Sequence, residues 1–498
     1  MIIFKNALIT DGTDTEPYRS DVVVKDGKIE KTGKTEDTSC EVLDCSSKIL
    51  CPGFIDVHAH SELQALRQPQ MTCKTLQGIT TDISGNCGIG VWPRKKNDPP
   101  CFADIVGTWD RWNWTDFTSF TENFRAGINM GFLQSHSTLR MAAIKGNPNR
   151  PASDAEIELM CELLDRSLSQ GCLGFSSGLY YAPCLFAEEK EIVSLLKTVK
   201  KHNAVFTVHH RCEGDEILSS IDEVINYAEK AGCQLEISHL KVIGMSNQDK
   251  VDIVLEKIRN ARKRGVNVAF DQYPYTFGST SLFSLLPPSV LKLDKAEMKR
   301  ALRGDRSAIQ NQMENPDGWD SIVKLCGFDN INIKVLDSRP DLEGKALSEL
   351  GSDPYSALFD ILADENGAAV MTDTTETEES LIKILNDDLM CFGTDALYTG
   401  AAAHPRSFEA APHLLKRYVL ETGTLSLAQA VSRMTGRCAE RFGFKDIGFI
   451  REGMNADITL LDEKDLSVTD VYVNGKCAVK DGKTTDSING NVIFKEDF

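Results

Sequence analysis

Eight short apolar runs, spread through the middle of the chain and nearly all ending in an ionisable or metal-capable residue, constrain the fold more than any other feature. They are GFIDVHAH, TTDISGNCG, GFLQSHSTLR, GCLGFSSGL, VFTVHHR, LEISHLK, NVAFDQYPYT and CFGTDA. Strands covered on both faces read as continuous apolar runs, and strands that alternate with helices form a parallel sheet. Helical stretches such as Ile157 to Gln170, Ile192 to His202, Ile217 to Ala231 and Val251 to Arg264 fill the gaps. Eight such units close into an α/β (β/α)8 TIM-like barrel, expected here over residues 52–449, with its active site at the C-terminal ends of the strands.

The spacing is regular except between the seventh and eighth strands. There residues 282–343 add Pro287-Pro288, a charged helix and the segment WDSIVKLCGF. This reads as an insertion within the barrel, lying either over its mouth or as a surface excursion. At the two ends the texture changes to hairpins. IIFKNALITDG, DVVVKDGKIEKTG and CEVLDCSSKILCPG open the chain, and ADITLLDEKDLSVTDVYVNGKCAVKDGKTT closes it, punctuated by Asn-Gly and Asp-Gly turns. Residues 1–51 and 450–498 are expected to join as one small β-sandwich domain.

A chain of 498 residues can bury a barrel of roughly 250 residues with accessory parts. The net charge of -18 disfavours nucleic acid and anionic membranes as partners. Fifteen cysteines without a CxxC pair suit reduced thiols and a cytoplasmic location. The first residues, with Lys5 inside an alternating pattern, predict a strand and not a signal peptide. No stretch is long and apolar enough to span a membrane.

The strand ends carry the chemistry: His58 and His60 on the first, Cys87 on the second, His136 on the third, His209 and His210 on the fifth, His239 on the sixth, Asp395 on the eighth. Residues i and i+2 of a strand project from one face, so His58 and His60 can converge. An isolated His-x-His is as well explained by polar residues leaving a strand. Six of the nine histidines at strand ends, together with a cysteine, point instead to a metal, and imidazole with thiolate suits zinc better than magnesium or calcium.

These residues resemble the N-acyl-D-amino-acid deacylases (D-aminoacylases) of the amidohydrolase superfamily over essentially the whole chain. PGFIDVHAH with Asp395 in CFGTDA is the superfamily signature. GNCGIG at Cys87, HHRCEGD after His209, ISHLK at His239, DQYPYTFGST and His404-Pro405-Arg406 are more specific, and REGMNADITLLD is common to the superfamily. Hydantoinase and dihydroorotase relatives usually bridge two metals with a fourth-strand lysine, which GCLGFSSGLYY lacks.

The resemblance implies zinc-dependent hydrolysis of the amide of a small-molecule N-acyl-D-amino acid. It implies that Cys87, His209 and His239 form a tight zinc site, that His58 and His60 hold a weaker or partial second metal, and that Lys241, Tyr273, Ser279 and Arg406 hold the substrate carboxylate. His209 rather than His210 fits the family's spacing to Arg211. Asp395, at the eighth strand end, is the expected general base and then acid, or else it orients a histidine. His136 and Arg140 are scaffold residues in this reading, and Trp92, Trp109, Trp112 and Trp114 are candidates to line the side-chain pocket. Two other readings are a cyclic amide hydrolase and a non-catalytic scaffold of the same fold.

Overall fold

The computed structural model describes residues 1–36, 40–94, 102–106, 114–122, 124–400 and 403–495. All eight apolar runs form parallel strands of one sheet: Phe54–Ala59, Ile79–Ser84, Asn129–Ser135, Gly174–Gly178, Val205–His209, Gln234–Ile237, Val268–Gln272 and Met390–Phe392, neighbouring one another in chain order. The sheet closes where the Asp395 N–H donates to the His58 carbonyl at 2.7 Å and Ala59 bridges Ala396. The barrel is therefore complete, and its last seam is made by two residues of the site.

Outward-facing strand residues such as Phe175, Phe206, Ile237 and Phe270 bury against Leu195, Val199, Val224 and Ile258 of the surrounding helices. Those helices span Asp154–Ser169, Glu189–Lys201, Ile217–Ala231 and Val251–Lys263. The first starts three residues before its apolar period because the Glu156 carboxylate accepts the Ser153 N–H at 2.8 Å, satisfying a helix-terminal donor.

The small domain is one nine-stranded sheet. Its order is Lys483–Thr484, Lys476–Lys480, Val468–Val473, Ile458–Asp462, Lys48–Pro52, Ile2–Ile9, Tyr18–Lys25 and Lys28–Thr32, with Glu41–Asp44 also paired to Ile2–Ile9. Phe4 and Tyr472 lie on strands separated by two others, yet their rings are 5.1 Å apart, so the sheet folds over its own core. The Asp26-Gly27 and Asn474-Gly475 turns hold both central residues at positive φ, as tight hairpins require. The end of the chain does not stay in this sheet. Val492–Ile493 pairs in parallel with Met130 and Gly131 of the third barrel strand, below the point where that strand begins pairing with the fourth at Leu133.

Between the seventh and eighth barrel strands the chain builds an antiparallel sheet of Phe277–Ser281, Ala369–Thr374 and Ile331–Leu336, covered by helices that include Lys295–Arg303, Ser307–Glu314 and Pro354–Asp364. This unit has its own apolar core around Leu285, Leu302, Phe359 and Met371. It reaches beyond 282–343 on both sides, because its first strand, Phe277–Ser281, pairs with its central strand, Ala369–Thr374, about ninety positions further on. No described helix is long and apolar enough to cross a membrane, and the described cysteines are free thiols.

Candidate metal centre

At the C-terminal mouth of the barrel the strand ends bring five metal-capable side chains and one carboxylate together. Two donor sets, each with ligand atoms within 4.8 Å of one another, share Cys87: one is Cys87, His209 and His239, the other His58, His60, Cys87 and Asp395. The Cys87 sulfur is 3.2 Å from His58 Nε2 and 3.4 Å from His239 Nε2, and His209 Nδ1 is 2.8 Å from His239 Nε2. All are buried.

Several of these side chains sit beyond the strands proper. The sixth strand stops at Ile237, the second at Ser84 and the eighth at Phe392. Cys87, His239 and Asp395 then take left-handed backbone, with φ of 52°, 34° and 49°. Such a conformation costs a non-glycine residue on the order of 1–3 kcal/mol and persists where surrounding contacts fix it. Asp271 supplies one of those contacts, accepting the His239 N–H at 2.8 Å. Asn86 supplies another: its side-chain amide donates to the carbonyls of Val57 and Ile83. Lys241, four residues past the end of the sixth strand, reaches the site from a loop.

The same geometry accounts for the absent fourth-strand lysine. Gly178 lies level with His209 at the end of the fourth strand, and a Cβ there would stand 2.2 Å from the Cys87 carbonyl oxygen. The loop that carries Cys87 occupies the space a fourth-strand side chain would need.

Asp271 is a site residue that the sequence reading did not single out. Its Oδ1 lies 2.9 Å from His58 Nδ1, which fixes that ring so that Nε2 faces Cys87. Glu213 is another. It binds Lys241 Nζ at 2.6 Å and lies 3.3 Å from His239 Nδ1, placing an anion behind the histidine. Both carry signals that could have found them: an acid at the end of the seventh apolar run, and an acid four residues after His209.

Asp395 is the hub of the second set. Its Oδ1 is 3.1 Å from His60 Nε2 and 3.5 Å from His58 Nε2, and its Oδ2 is 2.9 Å from the Arg406 guanidinium. Burial would push its carboxyl up, but Arg406, His60 and the neighbouring imidazoles outweigh that and hold it well below the usual carboxylate range. Burial would push the Cys87 thiol up, but His58 and His239 beside it outweigh that and hold it well below its ordinary range. Burial, with Lys241 nearby, lowers His239 to about 4, leaving a neutral ring able to bind metal. Burial likewise holds His209 well below the usual imidazole range, so the Cys87 sulfur with the rings of His209 and His239 fits a divalent ion of intermediate softness.

Beneath the centre, Lys74 is fully buried between Asp82, at 2.9 Å, and Asp56. Asp56 accepts the backbone N–H of Thr394 at 2.8 Å and its hydroxyl at 2.6 Å, fastening the residue before Asp395 to the first strand. Lys74→Met is expected to cost about 3–5 kcal/mol of unfolding free energy, since it leaves two buried carboxyls without their cation. Burial already pushes the Asp56 carboxyl up, and without Lys74 to oppose this the folded state would keep a proton that the unfolded chain releases above about pH 4, so the deficit should grow with rising pH. Denaturant unfolding at two pH values checks this, and a loss under about 1 kcal/mol would show that the triad adds little.

Arg406, Tyr273, Lys241 and Ser279 line one cavity with Asp395, His209 and His239 that opens to solvent. The Arg406 guanidinium lies 4.7 Å from the centre of the Tyr273 ring and donates to the Ser279 carbonyl at 3.0 Å, while its Nη1 and Nε have no hydrogen-bond partner among the described residues. His404 ties this loop to the insertion through the Phe277 carbonyl at 2.9 Å.

His210 turns away from the site and meets Ser220 Oγ at 3.0 Å. His136 lies between Ser177 Oγ at 2.9 Å and Glu191 at 2.8 Å, with Arg140 on the same carboxylate. Trp92 and Trp114 do not line the cavity. Trp92 stacks on Phe120 at 5.0 Å in the layer between barrel and helices, and Trp114 packs against the same ring. Trp109 and Trp112 lie outside the described residues.

A closed eight-strand barrel with histidines, a cysteine and an aspartate at its mouth defines a metal-dependent hydrolase class, and the chain belongs to the amidohydrolase family, whose model matches residues 41–285 and 344–486. It is 28% identical to the D-aminoacylase of Alcaligenes xylosoxydans xylosoxydans over 512 aligned positions, covering 99% of this chain and 97% of that protein. It superimposes with a TM-score of 0.84 and 28% identity, over 99% of each chain, on N-acyl-D-glutamate deacylase from Bordetella bronchiseptica complexed with zinc and a phosphonate inhibitor that mimics the tetrahedral intermediate. A D-aminoacylase structure with a binuclear metal centre, described by one-metal activation and second-metal attenuation, matches at a TM-score of 0.85 and 26% identity over 99% of each chain.

Proposed function

We propose that the protein hydrolyses the amide bond of N-acyl-D-amino acids, giving a carboxylic acid and a D-amino acid, with zinc held by Cys87, His209 and His239. The observation that carries this reading is that the donor set is compact and that its His209 and His239 share one cavity with the Asp395 carboxylate and the cationic groups of Lys241 and Arg406. When bound, zinc supplies a Lewis acid for the amide carbonyl and brings water toward a pKa of about 7.

The remaining steps fall to the chain's own groups. Asp395, kept ionised by Arg406, takes a proton from the attacking water and returns it to the leaving nitrogen. His58 and His60, both against Asp395 Oδ1, hold that carboxylate in place and with it form the set for a weaker second ion. An ion there would engage the same carboxylate, which accords with the second-metal attenuation described for D-aminoacylase. The unpartnered Nη1 of Arg406 and the Lys241 ammonium receive the substrate carboxylate, beside the Tyr273 hydroxyl and Ser279.

A panel of N-acetyl-D- and N-acetyl-L-amino acids, run beside hydantoin and dihydroorotate on zinc-loaded protein, tests the assignment. Release of D-amino acids and inertness toward the cyclic amides are expected. Faster opening of a cyclic amide would replace this reading with a hydantoinase-like one.

Arg406→Ala should raise KM for N-acyl amino acids about 10- to 100-fold, the range for a hydrogen bond to a charged group, and Arg406→Lys should recover part of the loss. Because Arg406 also holds the Asp395 carboxyl down, the acidic limb of kcat should move to higher pH in the alanine variant. An amide substrate without a carboxylate should show the pH change without the KM change. Equal KM losses on both substrates would assign Arg406 to loop support.

A further inference from the structure

The cavity's outer wall carries two carboxylates that the reaction does not use. Asp320, 2% exposed, accepts the backbone N–H groups of Glu213 and Gly214 through Oδ2 at 2.5 and 2.8 Å, while its Oδ1 has no hydrogen-bond partner among the described residues. Asp373, 7% exposed, enters from the insertion's central strand, and its Oδ1 lies 2.7 Å from where a Cβ of Gly278 would stand. The missing side chain of Gly278 leaves room for this carboxylate at the cavity surface. Asp373 makes no ion pair among the described residues.

The charges around it do not cancel. Among the described residues lining the cavity, Lys241 and Arg406 are the only cations. Lys241 is matched by Glu213 and Arg406 by Asp395. Asp320 and Asp373 remain, with Tyr180, Tyr181, Ile243 and Ile322 completing the lining on the apolar side. Burial pushes both carboxyls to about 6, so both are largely ionised at neutral pH. A buried acceptor left unpaired is costly, and an occupant that donates to it removes that cost.

We infer that Asp320 and Asp373 select the substrate side chain, and that the preferred substrates are N-acyl-D-amino acids with a cationic side chain, such as lysine, ornithine or arginine. This rests on the deacylase reading above, with Arg406 and Lys241 occupied by the α-carboxylate. An acidic side chain would meet two carboxylates and no third cation. The wall thus differs in kind from one suited to D-glutamate, the substrate in the name of the Bordetella bronchiseptica relative.

The test compares kcat/KM of the zinc-loaded protein for N-acetyl derivatives of D-lysine, D-norleucine, D-glutamine and D-glutamate. Lysine should exceed norleucine about 10- to 100-fold, the range of one charge-assisted hydrogen bond, and exceed glutamate by more. Asp373→Asn and Asp320→Asn should each cut the lysine-to-norleucine ratio by about 10-fold or more, chiefly through the KM for lysine. If Asp320→Asn does not fold, because Asp320 also anchors the Glu213-Gly214 turn, Asp373→Asn alone decides. Glutamate turned over as well as lysine, or a ratio that stays within about twofold in Asp373→Asn, overturns the inference. Turnover of neutral or acidic substrates with lysine a poor one overturns it while leaving the deacylase reading intact. Failure on every N-acyl amino acid overturns both.

Discussion

Replacing Cys87 by alanine is expected to strip the protein of tightly bound zinc and abolish turnover. The thiolate is the only anion in the set it forms with His209 and His239, and without it two neutral imidazoles would hold a doubly charged ion in a buried place. The backbone should survive the change. Cysteine and alanine both carry a Cβ, so the left-handed conformation at φ 52° is no harder for the variant, and Asn86 and the Gly88 N–H bond to Ser176 still hold the loop. Zinc per chain should fall from about one to well below one after dialysis, with an unchanged unfolding midpoint in the metal-free forms. Cys87→Ser separates charge from shape, since a hydroxyl fills much of the same space but stays protonated. Serine should therefore fail nearly as badly as alanine. Full zinc and near-normal rates in either variant would make Cys87 a structural thiol.

The barrel was legible because its strands are buried on both faces, which writes them as apolar runs, and because their polar ends stand out against those runs. The small domain was legible through its Asp-Gly and Asn-Gly turns, which force positive φ. Long-range pairing leaves no such local trace. Nothing near Phe277 announces that Phe277–Ser281 pairs with a strand ninety residues on, nor near Val492 that the chain returns to the third barrel strand. In the site, the histidines and the cysteine that cluster at the barrel mouth were readable from residue type, whereas the acids beside them were not. Asp271 and Glu213 act through His58, His239 and Lys241, and their partners lie up to 213 positions away in the chain. Trp92 shows the opposite failure: a large aromatic in a loop after a site residue suggested a pocket wall, but Phe117, Phe120 and Phe132 around it make a better environment for the indole, and it is 1% exposed.

Asp395→Asn is the sharpest test of the proton route. The amide oxygen can still accept from Arg406 and from His60, so the loop and the seam made by the Asp395 N–H and the His58 carbonyl should persist. What the variant lacks is a basic site for the water's proton. General acid–base catalysis is worth about 10²- to 10⁴-fold, and kcat should fall by that much with KM little changed. The pH profile adds a second readout. In the wild type the carboxyl lies well below its ordinary range, so the rate should hold its plateau into mildly acidic pH before this group protonates. The residual rate of the asparagine variant should show no limb from that group. Metal content completes the argument, because Asp395 also belongs to the donor set with His58, His60 and Cys87. The tight zinc should stay at one per chain and only the weaker, second equivalent should be lost. If the tight zinc disappears together with the rate, Asp395 is itself a ligand the primary site cannot do without, and the proton must be carried by another group at the barrel mouth.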